Sequence, residues 1–373
     1  MPLLEQRVVL ELVRNVKVFL NLQAGVVRGE VPNPKRSTEI TTPVAGARGA
    51  IQRQGVAQLE QELEEKDREN ARLRAQLLAG GDDTPVGVKP ENMIWIFGAG
   101  RTGSSWLSRM MMDLEGHARW DEPYVGNIFG TAYYVNAGDR MRAREDFALG
   151  DRYREAWLNS IRNFILEGAN VRFSRMAEDS YLVIKEPNGS MGAPLIMKAL
   201  PESRMILLVR DPRDVVSSVL AANRKGSWGD QWRVDGSGGK SLADTNPDAF
   251  VRQWANTCAT ILGKAEEAYE VHGGPKVVVR YEDLRYETFE TMKRIYSTLK
   301  IQVDDKQLRR VIEKHAWENV PEEKKGTDKP HRKATPGGWR EDLTPKQARI
   351  IEEITAPILD EFYPGWATGT NEQ

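Results

Sequence analysis

The residues best suited to chemistry lie around position 100, between an apolar run and a helical pattern. Ile94–Phe97 has the composition of a buried strand, and glycines at 98, 100 and 103 follow it directly. Glycine permits the dihedrals and close approach with which successive N–H groups converge on an anion at a helix N-terminus. Because hydroxyl residues open the helix that follows, the pattern predicts a phosphate-binding loop.

This loop differs from the nucleotide-binding loop of ATP- and GTP-hydrolysing enzymes at one diagnostic position. Gly98 and Gly103 have the Walker spacing, but Ser104 stands where those enzymes have lysine. A cation lies earlier instead, at Arg101, where it could bridge two oxyanions at a bond that breaks. For this loop considered alone, a turn without a ligand is the alternative.

Two further groups of basic residues lie later in the chain. The apolar run Met205–Val209 leads directly into Arg210, and Ser218 follows eight residues later. A guanidinium at a strand end is suited to bidentate phosphate binding, and a hydroxyl two helical turns on would face the same anion. Near the C-terminus, Arg332 and Lys333 begin a stretch rich in glycine.

Together these motifs resemble the sulfotransferase family, in type and in order along the chain. The first loop is similar to its 5′-phosphosulfate loop and the Arg210 segment to its 3′-phosphate signature. Residues 331–340 are similar to its C-terminal loop, with Ala334, Gly338 and Arg340 as departures. The resemblance covers roughly residues 92–365. It implies an α/β fold of the three-layer P-loop type, with a central, mainly parallel sheet.

The resemblance also implies the donor, 3′-phosphoadenosine 5′-phosphosulfate (PAPS), with adenosine 3′,5′-bisphosphate as product and no metal. Its 5′-phosphosulfate would be held by Gly100, Arg101, Thr102, Gly103, Ser104 and Ser105. Its 3′-phosphate would be held by Arg210, Ser218, Arg332 and Lys333. Trp106 would flank the adenine, and Tyr281 would lie beside it.

The reaction implied is in-line sulfuryl transfer to a hydroxyl, or to an amine, of the acceptor. It needs cations at the leaving group and a base for the acceptor. Arg101 and Lys185, the latter at the end of a strand-like run, would stabilise the leaving phosphate. Cytosolic members use a histidine two residues after that lysine, but Pro187 stands there. Members that act on carbohydrates and protein tyrosine use a glutamate at the interval of Glu122, 21 residues after Arg101.

The catalytic base is therefore predicted to be Glu122, in the loop-like stretch Arg119–Tyr124. Glu186 is the alternative, because it adjoins Lys185 at the strand end. Adjacent residues of a strand point to opposite faces, however, so Lys185 and Glu186 should not both enter the site.

The remaining patterns describe the elements that must position these residues. Four apolar runs separated by helical patterns predict parallel strands covered on both faces. Helices are expected within 139–170, over 250–270 and from Thr344. Residues 125–180 and the irregular insertion 223–248 should shape the acceptor pocket, but no pattern identifies the acceptor, which could be a small molecule, a glycan or a lipid.

The residues before the expected sulfotransferase domain, 92–373, have a different pattern. Residues 1–50 are uncertain, and a docking element and partial disorder are equally favoured. Residues 51–80 indicate a short coiled-coil-like helix, and 81–91 a linker. The heptad core holds Val56, Leu59, Leu63, Leu73 and Leu77, with Lys66 and Asn70 as polar members. A homodimer through this helix and a solvated helix lying on its own domain are equally favoured.

Composition excludes several functional classes. The net charge of −1 argues against a nucleic-acid or anionic-membrane partner. Cys258 is the only cysteine, which excludes a disulfide framework, and the four histidines lack metal-ligand spacing. No run reaches membrane-spanning length and no secretory signal is evident, so a cytoplasmic protein is expected.

Two other functions remain open on the sequence. A P-loop kinase of nucleotides or small metabolites would need the Walker lysine and a magnesium-binding carboxylate at a strand end. A non-catalytic scaffold would use the coiled coil to recruit partners and keep an inherited nucleotide fold.

Overall fold

The computed structural model describes residues 87–229, 241–326, 329 and 333–368 of the chain. The predictions for 1–50, for the coiled-coil-like helix 51–80 and its homodimer, for most of the linker 81–91 and for Arg332 lie outside these residues. None of the helices in the described part of the chain has the length and apolar character that crossing a bilayer requires.

Within the described residues, five strands form one parallel sheet in the order β2-β3-β1-β4-β5. The strands are β1 Met93–Gly98, β2 His117–Asp121, β3 Tyr181–Lys185, β4 Arg204–Val209 and β5 Lys276–Arg280. β1 lies in the middle, where its glycine-rich loop is flanked by the ends of β3 and β4. The central parallel sheet expected from the sequence is confirmed.

Helices connect these strands on both faces of the sheet. Between β1 and β4 they are α1 Ser104–Met112, α2 Val125–Gly130, the π-helix Thr131–Ala137, α3 Gly138–Arg142, α4 Arg154–Arg172 and α5 Ala193–Ala199. After β4 they are α6 Pro212–Ala222, α7 Leu242–Thr245, α8 Pro247–Val271, α9 Tyr281–Tyr286, α10 Thr288–Thr298, α11 Asp305–Lys314, α12 Trp339–Asp342 and α13 Pro345–Phe362. A capping box from Thr344 begins α13, as predicted.

The core is divided by the sheet into two layers. Trp95 and Phe97 of β1 stack at 5.6 Å on one face, against side chains of α4, α5, α8 and α13. Ile94 and Ile96 point to the other face and pack with α1, α10 and α11. All four side chains are fully buried. Continuous apolar strands therefore belong to a three-layer fold, in agreement with the sequence prediction.

The prediction of a loop around Arg119 and Asp121 is wrong, because these residues form strand β2. Arg119 lies opposite Val183 and Asp121 opposite Lys185, in parallel register with β3. β2 is one of the two edge strands, and its side chains are only partly buried or exposed, so it lacks the apolar run by which the other four strands were recognised. The end of β2 therefore lies beside the end of β3.

The turn after β1 depends on the absence of a side chain at Gly98. This residue has φ +151°, and a Cβ atom there would lie 2.2 Å from the carbonyl oxygen of Leu208. The backbone of β1 thus leaves the sheet in direct contact with β4, and the loop begins there.

Replacing Gly98 with alanine should destabilise the fold by about 2–5 kcal/mol, through the positive φ and the backbone clash together. Urea unfolding of the full chain measures this loss. Gly263→Ala is the matched control, since Gly263 lies in α8 with no atom within 4 Å of a Cβ position. That variant should be equal to or slightly more stable than the wild type. Equal stability of the two variants would contradict the close approach.

Candidate active site

The glycine-rich loop turns sharply between β1 and α1. Arg101 and Gly103 both adopt positive φ, at 69° and 88°. Thr102 closes the turn, because its hydroxyl donates to the carbonyl of Ala99 over 2.8 Å. A Cβ atom on Gly103 would lie 2.6 Å from the Tyr281 ring, so the loop rests on that ring. Ser104 then begins α1 at the loop's inner end.

The second predicted motif is in direct contact with the first. Arg101 Nε donates to Ser218 Oγ over 3.1 Å, and Arg210 Nη1 donates to the carbonyl of Arg101 over 3.0 Å. Ser218 lies on α6, which begins directly after β4. The ends of two neighbouring strands thus bring together residues more than one hundred positions apart.

Arg210 lies at the junction of these motifs. Its guanidinium stacks over the Tyr281 ring at 4.4 Å, and its Nη2 is 3.9 Å from an Asp214 carboxylate oxygen. Its Nε is buried and has no hydrogen-bond partner among the described residues. Arg213 contrasts with it, since its guanidinium binds Asp211 at 2.8 Å and Glu352 at 3.0 Å. Of these two arginines, Arg210 has donor capacity left for a ligand.

A cavity of about 410 Å³ opens between the two motifs and the C-terminal loop. Its cationic lining residues are Arg101, Arg109, Arg210, Arg285, Lys314, Lys324 and Lys333. No acidic residue lies among the described residues that line it. Ser104, Ser105 and Ser218 add hydroxyl groups. The cavity therefore favours a ligand with several negative charges.

The C-terminal loop is tied to α6 through a buried carboxylate. Asp214 accepts hydrogen bonds from the backbone N–H groups of Gly337 at 2.7 Å and Trp339 at 2.9 Å. Burial raises the pKa of Asp214, and the nearby Arg210 charge opposes that shift. Lys333 lines the cavity and also binds Glu341 at 2.8 Å. Ala334 adopts a left-handed φ of 50°.

An aromatic wall closes the cavity on the side of α1. The Trp106 and Tyr281 rings meet edge to face at 6.4 Å, and Trp106 Nε1 donates to the carbonyl of His315 over 2.9 Å. His315 in turn bonds to Asp113, with Nε2 2.6 Å from the carboxylate oxygen. Trp317 also lines this part of the cavity. These rings provide surfaces on which a planar base can pack.

The two predicted catalytic groups of opposite charge form an ion pair. Lys185 Nζ lies 2.5 Å from Glu122 Oε1, and it also donates to Ser105 Oγ of the glycine-rich loop over 3.2 Å. Asp121 Oδ1 is 3.0 Å from the same ammonium group. The Lys185 side chain is only 6% exposed and that of Glu122 is 21% exposed. The base candidate, the strand-end lysine and the loop thus share one small site.

Asp121 carries a negative charge beside this pair. Burial acts to raise the pKa of Asp121, but hydrogen bonds and charge from Lys185 and Arg119 outweigh it and lower the pKa. Asp121, the last residue of β2, and Glu122, which follows it, thus place two carboxylates beside Lys185.

Glu186 points away from Lys185, as the alternation of a strand requires. Its two oxygens accept backbone N–H groups of Tyr124 and Gly126, each at 3.1 Å, at the start of α2. The side chain is almost fully buried, and burial raises its pKa to about 7, with the two N–H donors opposing the shift. Glu186 therefore has a structural role, because its carboxylate holds the N-terminus of α2.

Several residues of the site carried no recognisable signal in the sequence. Asn188 and Tyr124 both donate to Glu122, and Arg285 donates to the carbonyl of Ala334 at 3.2 Å. Trp228 stacks on Arg101, with its ring 5.1 Å from the guanidinium. Only the spacing of Tyr124 from Glu122 was available from the sequence, because the other contacts join distant segments.

The chain is similar to known sulfotransferases in a family model and in solved structures. The family model described as the sulfotransferase family matches residues 93–305, more than half of the 373-residue chain. No curated protein matches the chain. The crystal structure of mouse sulfotransferase SULT7A1 complexed with PAP is 15% identical, with a TM-score of 0.46 over 74% of this chain and 86% of that one. Sulfotransferase STF9 from Mycobacterium avium is 15% identical, with a TM-score of 0.45 over 74% and 78%.

The buried carboxyl of Glu186 predicts a pH dependence of stability. Burial raises its folded-state pKa from 4.5 to about 7, so ionising it in the folded state is unfavourable. The resulting loss of stability is absent at low pH, grows from about pH 4.5 and is complete above about pH 7. Glu186→Gln, measured by urea unfolding against the wild type, should therefore gain up to about 3 kcal/mol in relative stability between pH 4.5 and 8. A relative stability independent of pH would contradict the burial of this charge.

Proposed function

The chain belongs to the sulfotransferase family, and on that premise we propose that it transfers a sulfuryl group from PAPS to an acceptor hydroxyl. The acceptor is a small molecule, a glycan or a lipid. The reaction is an in-line displacement that produces adenosine 3′,5′-bisphosphate and a sulfate ester.

The observation that carries this proposal is the charge of the cavity beside the glycine-rich loop. Seven lysine and arginine side chains line it, and no described lining residue is acidic. Arg210 also keeps a buried Nε without a partner in the described structure. A donor with charged groups at both the 5′ and 3′ positions of its ribose fits such a distribution of cations.

The residues that would hold PAPS belong to the glycine-rich loop, the Arg210 segment and the C-terminal loop. Gly100, Arg101, Thr102, Gly103, Ser104 and Ser105 would hold the 5′-phosphosulfate, and Arg210, Ser218, Arg332 and Lys333 the 3′-phosphate. Trp106 and Tyr281 would pack against the adenine. The edge-to-face contact of these two rings and the Arg210–Tyr281 stack support the grouping.

In the reaction, PAPS supplies a sulfuryl group whose bond to the 5′-phosphate breaks as the acceptor oxygen bonds to sulfur. Arg101 and Lys185 would stabilise the charge that develops on the leaving phosphate. Lys185 already donates to Ser105 of the loop, so its ammonium group would need to move only a short distance to reach the leaving phosphate. Its low exposure strengthens its electrostatic effect, because water screens it little.

Glu122 would accept the proton of the acceptor hydroxyl. It is the more exposed of the two candidate carboxylates, and it lies beside Lys185 at the carboxyl end of the sheet. Glu186 is almost fully buried and both its oxygens are occupied by backbone N–H groups. These contacts support Glu122 rather than Glu186 as the base.

Replacing Arg210 with alanine should weaken the binding of adenosine 3′,5′-bisphosphate by about 1.5–3 kcal/mol, roughly tenfold to 150-fold, because a hydrogen bond to a charged group is lost. AMP, which lacks the 3′-phosphate, should bind almost equally to both proteins. Isothermal titration calorimetry measures both affinities. Arg252→Ala on the exposed face of α8 is the control and should change neither. Equal losses for the two nucleotides in Arg210→Ala would refute the 3′-phosphate assignment.

Replacing Glu122 with glutamine should lower turnover by about 10²–10⁴-fold, as expected when a general base is lost. Adenosine 3′,5′-bisphosphate should bind within a few-fold of the wild type. The assay is transfer of ³⁵S-sulfate from labelled PAPS to a panel of phenols, sterols, fatty alcohols and oligosaccharides, which also identifies the acceptor class. Near-normal turnover in Glu122→Gln together with collapse in Glu186→Gln would move the base to Glu186.

A further inference from the structure

The two oxygens of the Glu122 carboxylate have different surroundings. Oε1 is 2.5 Å from Lys185 Nζ. Oε2 accepts the side-chain amide of Asn188 at 2.7 Å and the hydroxyl of Tyr124 at 3.0 Å. Oε1 thus binds Lys185, which is also proposed to stabilise the leaving phosphate. Oε2 is held by two uncharged donors.

Tyr124 is suited to be a permanent donor in this arrangement. Burial raises the pKa of its hydroxyl to about 12, and the negative charge of Glu122 adds to the shift. The phenol therefore keeps its proton over the whole working range of pH. Its ring is half-exposed, so the hydroxyl reaches Glu122 from the open side of the site.

The position of Tyr124 is fixed by the packing of α2 against its neighbours. A helix of six residues is too short to be stable alone. Cβ atoms on Gly126 and Gly130 would lie 2.0 Å from the carbonyl oxygen of Gly189 and 2.4 Å from the nitrogen of Gly192. The backbones of α2 and of the turn 187–192 are therefore in direct contact. The buried Glu186 carboxylate holds the first N–H groups of the same helix.

Asn188 is placed on the same turn, next to the glycine-rich loop. A Cβ atom on Gly100 would lie 3.4 Å from its Oδ1, so the amide lies between that loop and Glu122. The backbone around the base is itself constrained, since Glu122 and Tyr124 adopt left-handed φ values of 46° and 59° on either side of Pro123. Residues other than glycine rarely adopt such angles unless their surroundings impose them.

We propose that Tyr124 and Asn188 are positioning residues that hold Glu122 through Oε2 while Lys185 serves the leaving group. The inference rests on the proposed function, in which Glu122 is the base. When Lys185 turns from Oε1 towards the donor, the carboxylate loses its strongest contact. The two neutral donors keep it in place, and Oε1 becomes available to the acceptor proton.

The charged groups that face Glu122 are Lys185 and, on the same strand end, Asp121. Tyr124 and Asn188 carry no charge, and neither is among the residues that line the cationic cavity. Removing either donor should therefore lower turnover without weakening the binding of PAPS.

The test compares Tyr124→Phe and Asn188→Leu with the wild type, using labelled PAPS and the best acceptor of the panel, or water if none reacts. Each variant should lose about tenfold in kcat, with the KM for PAPS and the affinity for adenosine 3′,5′-bisphosphate within about twofold. Tyr153→Phe, a tyrosine of similar exposure outside the site, is the control and should match the wild type.

Different results would overturn the positioning role and the proposed function. Unchanged kcat in both variants, with the wild type active, would overturn the positioning role alone. A wild type that binds no adenosine 3′,5′-bisphosphate, or that transfers no label even to water, would overturn the proposed function and this role with it. Because each variant changes a different element, a folding failure in one, detected by circular dichroism, leaves the other to decide.

Discussion

The structure depends on holding several positive charges around one cavity before any ligand is present. Two unit charges 5–6 Å apart repel by about 3 kcal/mol at an effective dielectric constant near 20. Aromatic rings and backbone carbonyls offset this repulsion in the free protein. Arg210 is held by the Tyr281 ring and the carbonyl of Arg101, and Arg285 by the carbonyl of Ala334. Carboxylates lie 3.9 Å from Arg210 and Arg285 and 2.7–2.8 Å from Lys314 and Lys333. None of these carboxylates lines the cavity, so the surface that an anionic ligand would meet is cationic.

The parallel sheet is what makes such a concentration possible. The carboxyl ends of parallel strands meet at one edge, and their following loops share that edge. Arg101, Glu122 and Arg210 follow β1, β2 and β4 in this way, and Lys185 is the last residue of β3, which lies between β2 and β1. The carboxylates lie on the β2 side of this edge and the phosphate-binding candidates on the β4 side. The order of the strands thereby separates the proposed base from the cavity for the donor.

Much of the fold could be predicted from the sequence, because buried strands carry an unmistakable apolar run. Ile94–Phe97 and Met205–Val209 are such runs, and the polar residues that follow them were expected at the edge of the sheet. β2 escaped prediction for the opposite reason. It is an edge strand whose side chains are half-exposed, and its pairing with β3 compensates for its weak pattern.

The residues of the site could be predicted only where their types and their spacing along the chain indicate the chemistry. The glycine spacing and the pair Arg210 and Ser218 are local signals, and the structure joins them through Arg101. Asn188 and Tyr124 became recognisable only in three dimensions, since their contacts with Glu122 depend on the glycine packing beneath α2. Arg210 and Arg213 are three residues apart and look alike in sequence. Only the carboxylates around Arg213 distinguish a structural arginine from one available to a ligand.

We expect the cationic cavity to select PAPS over a nucleoside triphosphate. Competitive titration of the wild-type protein with adenosine 3′,5′-bisphosphate and with ATP–magnesium tests this expectation directly. Adenosine 3′,5′-bisphosphate should bind at least about tenfold more tightly, because the 3′-phosphate contacts contribute about 1.4 kcal/mol or more, the scale of one charged hydrogen bond. Chelating magnesium should leave its affinity unchanged. Tighter binding of ATP–magnesium, lost when the metal is chelated, would contradict this expectation.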